Sequence, residues 1–200
     1  MKHAGPVVVA LMALVSLDIY AASPKPSGFL SDYDRLVEGE YLEAFWVDLS
    51  RIERTSAPRI QLGEIETAGS KNHKGVSVAD CVGWLRQDLL ASQMISDDAS
   101  APYRLDLAIT HMDPGSAAKR ILAGEFGAGH AQLQIEGRVI ASESGEVVAE
   151  CAERRRSSGA IGVQDLAGDA GPHIIEHLVS LISDDVANEL VAAFTKRSGM

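Results

Sequence analysis

The sequence predicts an α/β fold: a two-layer sandwich in which a mixed, mostly antiparallel sheet carries two main helices on one face. Three observations predict it. Residues 103–111 and 131–156 alternate apolar and polar side chains, the period of strands with one covered face. Residues 77–92 and 172–196 repeat apolar side chains at three- and four-residue steps, the period of helices with one covered face. The order of elements is strand, helix, strand, crossing, hairpin, helix, which packs most simply as helices over one sheet.

The elements follow in order. Residues 22–28 (ASPKPSG) hold two prolines, two serines and a glycine, and read as a flexible lead. In residues 29–36, Phe29, Leu30, Tyr33 and Leu36 stand at helix-like spacing, with Ser31 or Asp32 as a cap, so a short docking turn is expected. Residues 41–49 (YLEAFWVDL) are aromatic and strand-favouring. Residues 59–66 alternate imperfectly and predict another strand.

In residues 77–92, Val78, Cys81, Val82, Leu85 and Leu89 form one stripe, and Ser77 is a suitable N-cap. Tyr103, Leu105, Leu107 and Ile109 share one face of a strand that ends at the turn Asp113-Pro114-Gly115. A short helix or irregular crossing is expected over 116–123. Residues 131–141 and 146–156 form a hairpin about Ser144-Gly145, with Leu133, Ile135, Gly137 and Val139 on one strand facing inward. Val147, Ala149 and Cys151 are expected to share the inward face of its second strand. After a glycine-rich loop at 157–171, Pro172 opens the last helix, whose stripe is Ile174, Leu178, Ile182, Val186, Leu190 and Phe194.

The first residues read as an export signal. Lys2 precedes an 11-residue apolar run from Val7 to Leu17, and Asp18 ends it. A membrane span needs about 20 residues, whereas a signal core needs about 7–15. Cleavage after Ala21 sets Ile19 and Ala21 at the recognition positions; cleavage after Ala22 would set bulky Tyr20 there. The division expected is therefore a signal peptide at 1–21, an N-terminal lead and docking segment at 22–58, and a single α/β domain at 59–200. The protein is expected in the periplasm or secreted, with no membrane span after cleavage and no cysteine near the cut to carry a lipid.

The net charge of −10 repels phosphates, so nucleic acid is not an expected partner. Two cysteines, Cys81 and Cys151, fall on predicted inward faces of facing layers. In an oxidising compartment they are a possible disulfide; two separate buried thiols are the alternative.

One motif matches a catalytic pattern closely. His173-Ile174-Ile175-Glu176-His177 fits H-x-x-E-H on a helix, where His173 and His177 hold zinc and Glu176 acts as base. Against it, the third ligand must come from elsewhere, and Glu189 is the sole downstream glutamate. Ser116-Ala117-Ala118-Lys119 fits S-x-x-K without its companion motifs. The stretch Gly124 to Gly129 lacks the spacing and lysine of a phosphate loop, and reads as a bend. Asp32-x-Asp34 has Val37 where a calcium loop needs glycine. Arg154-Arg155-Arg156 reads as a solvated strand end.

Two stretches carry a resemblance. SGFLSDYDRL at 27–36 resembles the opening of an exported bacterial family, a domain of unknown function, many of whose members are lipoproteins. PGSAAKR, GEFGAGHAQLQIEG and SGEVV, within 114–148, resemble a second uncharacterised envelope family with P-G-S, G-x-G-A-G and S-G-E-V elements. The resemblance implies an exported α/β domain and no activity. The function expected is a non-enzymatic envelope binding or assembly module without cofactor, its partner another envelope protein. The alternatives are a zinc-dependent hydrolase and an accessory subunit of an envelope transporter.

Overall fold

A computed structural model of the chain describes residues 19–67, 69–73, 75–116, 129–157 and 170–195. Seven strands form one sheet: β1 (Ile19–Ala21), β2 (Ala44–Val47), β3 (Ile60–Glu66), β4 (Ile95–Ser96), β5 (Tyr103–Asp113), β6 (Gln132–Ala141) and β7 (Val147–Ser157). Helix α1 (Val78–Ala91) lies between β3 and β4, and α2 (Ala170–Phe194) follows β7 in the sequence. The sheet runs β1-β7-β6-β5-β3-β4, with β2 also on β7. Strand β3 is parallel to β4 and β5; the other pairings are antiparallel. This is the two-layer α/β architecture that the periodicity predicts.

The core lies between the helices and one sheet face. Helix α1 starts at Ser77, whose hydroxyl accepts from the Asp80 amide while Asp80 accepts from the Ser77 amide, a reciprocal cap. Its Val78, Cys81, Leu85 and Leu89 are buried. All six members of the α2 stripe are buried, along with Ile175 and Val179. They meet Leu105, Leu107, Ile109, Leu133, Ile135 and Val139 from the sheet.

Besides the register shift between Leu62 and Ile65 in β3, the strands depart from simple alternation at two bulges. One lies between Ile109 and His111 in β5, so His111 rather than Thr110 pairs with Gln134. The second lies where Val139 pairs with Ala149 but Ile140 pairs with Val147. The extra residue is Val148, which is buried in the core, whereas Val147 is half-exposed. The expectation that Val147 shares the inward face is thus corrected by the bulge. The tight turn expected at 113–115 is present: Gly115 has φ +75° and its amide donates to Asp113 Oδ1.

Residues 29–36 form turns rather than helix, and they lie across the face of the sheet away from the helices. Tyr33 is the hub. Its hydroxyl accepts from the amides of Ser27, Gly28 and Leu30, and donates to Glu136 Oε2 at 2.6 Å. The helix-like spacing is overridden because this hydroxyl gathers the backbone donors that a helix would use internally. The crossing expected over 116–123 and the loop expected over 157–171 lie almost wholly outside the described residues.

Candidate functional site

Four buried glutamates hold the N-terminal segment to the sheet and to α2. Glu136, fully buried on β6, accepts from Ser27 Oγ (2.9 Å), Tyr33 Oη, Thr110 Oγ1 (3.1 Å) and Gln134 Nε2 (2.8 Å). Glu150 on β7 accepts from the Ser31 amide and hydroxyl and pairs with Arg35 at 2.7 Å. The Arg35 guanidinium also stacks on Trp46, 3.5 Å from the ring centre. On the helix side, Glu153 accepts from the Glu43 amide at 2.7 Å. Glu189 of α2 accepts from the amides of Tyr41 and Leu42 at 2.7 and 3.1 Å. Gly39 makes room for it, since a Cβ there would meet Glu189 Oε2 at 2.5 Å. Each of these carboxylates accepts at least one hydrogen bond from the strap formed by residues 27–43, and sheet residues add Thr110 and Gln134 to Glu136 and the Arg155 ion pair to Glu153.

The arginine run belongs to the same polar frame. Arg154 is buried and donates to Gln132 Oε1, and Arg155 joins Glu153 at 3.0 Å and Asp185 at 2.5 Å. The expected solvated strand end is therefore corrected for these two, because Gln132 of β6, Glu153 of β7 and Asp185 of α2 engage their guanidinium groups. Burial pushes the Glu153 carboxyl up to about 7, against the bond from Glu43 and the charge of Arg155.

The open site lies elsewhere, in a groove of about 430 Å³ between α1 and α2. Trp84, Gln87 and Asp88 line it from α1; His173, Glu176, His177 and Ser180 line it from α2. These residues sit on the polar sides of helices whose apolar sides face the sheet, at steps of three and four. The H-x-x-E-H residues thus share one wall, with His173 Nδ1 3.7 Å from Glu176 Oε2. Asp88 faces them from the other helix, and its carboxyl is pushed upward by burial, then by Asp184 and Glu176. Among the described residues no group of three or more His, Cys, Asp or Glu is arranged to hold a metal ion. An imidazole pair, two carboxylates and an indole suit a polar or cationic ligand held by contact.

The other sequence candidates are placed apart from the groove. Cys81 and Cys151 are separate buried thiols, so the possible disulfide is not formed in this structure. Cys81 Sγ lies 3.1 Å from Met112 Sδ, and Cys151 fills the space opposite Gly137. Burial pushes both thiols up to about 12. Asp32 Oδ1 accepts from the Asp34 amide within the strap. Residues 117–119 of the S-x-x-K match and 124–128 of the glycine-rich stretch lie outside the described residues. No motif marks Trp84 and Asp88 in the sequence; their four-residue spacing on the polar side of α1 is the available signal.

The profile of the family described as a domain of unknown function (DUF4410) matches residues 52–162, more than half of the chain. The chain belongs to that family. The family's span includes the 114–148 stretch and excludes the 27–36 strap. No curated protein matches the chain. Among solved structures it is similar to the PelC dodecamer from Paraburkholderia phytofirmans, at 10% identity and TM-score 0.43, covering 91% of this chain and 100% of that one. It is also similar to protein XCC0632 from Xanthomonas campestris, at 12% identity and TM-score 0.45, covering 71% and 92%. Lipoprotein GNA1162 from Neisseria meningitidis is similar at 13% identity and TM-score 0.32, covering 66% and 99%. Among the described residues, no helix is long and apolar enough to cross a membrane.

Proposed function

We propose that this member of the family is an exported cell-envelope protein that acts as a binding or assembly module rather than as a catalyst, and that the groove between α1 and α2 is its contact site. The observation that supports the reading is the groove itself: an indole, two imidazoles and two carboxylates from two helices line one open recess. The export signal read at residues 1–21 supplies the compartment.

The test is a photo-crosslinking amino acid placed in living cells at position 84 or 177, with Ser144 at the exposed hairpin turn as control. The reading expects an adduct with an envelope component from the groove positions, found in the exported fraction, and none from position 144. Stoichiometric zinc lost on His177→Ala, together with hydrolysis of peptide substrates, would instead establish the zinc hydrolase. Retention of the protein in the cytoplasm would sink the envelope role altogether.

A further inference from the structure

We infer that removal of the leader opens a strand-sized slot on the outer edge of β7, and that this slot takes the extended C-terminal tail of a partner protein. The inference rests on the export reading, with cleavage after Ala21.

The outer edge of β7 is covered in two pieces. β2 pairs with Ala149 to Ala152, and β1 pairs with Arg155 to Ser157. Between them the Ala22 amide donates to the Arg154 carbonyl at 2.8 Å. β1 is Ile19–Ala21, the last three residues of the expected leader. Cleavage after Ala21 removes that strand and leaves Ala22 as the new terminus at the end of the gap.

The gap is a ladder site by its backbone directions. The Ser157 amide donates to the Ala131 carbonyl, toward β6. Directions alternate along an antiparallel strand, so the backbone groups of Arg156 point the other way, toward the place of β1. An edge that loses its strand is a template for another.

The occupant follows from polarity and charge. The chain's own terminus, once at Ala22, cannot refill the slot. A second copy's β7 laid along this segment continues into residue 158, so it brings no terminal carboxylate to Ala22. A strand entering in the direction of β1 ends against Ala22, so its C-terminal end meets the new α-ammonium. That group has a pKa of about 8 and is charged at neutral pH. A terminal carboxylate is its natural complement, in the manner of strand addition with carboxylate capture. The tail of a partner is therefore bound by main-chain bonds to β7 and by an ion pair to Ala22.

The experiment uses a fluorescent peptide of residues 15–21, VSLDIYA, ending in a free carboxylate, titrated at pH 6.5 by anisotropy. The targets are the mature protein recovered from the exported fraction and the uncleaved 200-residue chain. The slot predicts binding to the mature protein, at least tenfold weaker binding after C-terminal amidation of the peptide, and no binding to the uncleaved chain. Faster hydrogen exchange at the Arg156 amide in the mature protein, slowed by the peptide, places the binding on β7. Equal binding to both targets, binding to neither, or indifference to amidation overturns the slot. Intact mass of the mature protein separates the two claims. A start other than Ala22 overturns the cleavage on which the slot depends; a start at Ala22 without peptide binding overturns the slot alone.

Discussion

Replacing Tyr33 by Phe removes one oxygen atom from the hub of the strap and changes little else. The lost hydroxyl donates a 2.6 Å hydrogen bond to Glu136, a fully buried carboxylate. A bond to a charged group is worth about 1.5–3 kcal/mol. Glu136 keeps its donors from Ser27, Thr110 and Gln134, which favours the lower part of that range. The amides of Ser27 and Gly28 that give to the hydroxyl are at the surface, where water replaces it, whereas the part-buried Leu30 amide loses its 3.3 Å partner and keeps the cost from falling to the bottom of the range. The expected cost is about 2 kcal/mol, which is about thirtyfold in the equilibrium for opening the strap. Native-state hydrogen exchange reads this at the Ser31 amide, whose partner Glu150 Oε1 is 3.1 Å away. Its exchange should accelerate about thirtyfold, while amides in the β5–β6 ladder keep their protection. A change at Ser31 of less than about threefold, under 0.7 kcal/mol on the same scale, would refute the hub.

Further predictions address the core and the helix-side clamp. Glu153 has a folded pKa of about 7 against 4.5 for the unconstrained group. The folded state holds a proton that the unfolded chain has lost between these values, so this group's contribution to stability falls as pH rises through that window. Glu153→Gln should therefore gain up to about 3 kcal/mol relative to the parent between pH 4.5 and 8, by urea unfolding at each pH; parallel profiles would contradict this. Gly137→Ala places a Cβ 2.8 Å from both Cys151 Sγ and Leu107 Cδ2 and should lower stability by about 1–3 kcal/mol. A thermal or urea midpoint unchanged by it would show that the core yields at no cost. A thiol reagent under denaturing, non-reducing conditions should titrate two free thiols, Cys81 and Cys151, both slow to react while folded. A count of zero would reveal a bridge.

The sandwich was legible because its inward faces follow simple periods. The α2 stripe from Ile174 to Phe194 and the alternation of Leu105, Leu107 and Ile109 are buried where the pattern puts them. Local exceptions were not legible. The bulge at Val148 inserts one residue without any turn-forming signature, and only pairing with β6 shows it. Glu136 and Glu150 alternate outward, and an outward glutamate ordinarily means solvent. The strap that covers them comes from more than a hundred residues earlier in the chain. Arg154 and Arg155 look solvated in the sequence for the same reason: their partners Gln132 and Asp185 are distant in the chain. The groove was half legible. The H-x-x-E-H spacing places His173, Glu176 and His177 on one helix wall, but nothing local pairs that wall with Trp84 and Asp88.

The envelope role and the β7 slot both depend on export with removal of residues 1–21. Intact mass spectrometry of the protein from the periplasmic fraction of its own cells tests it most directly. The expected result is a chain that begins at Ala22. A full-length chain in the cytoplasm, or an exported chain still carrying Ile19–Ala21, would contradict it.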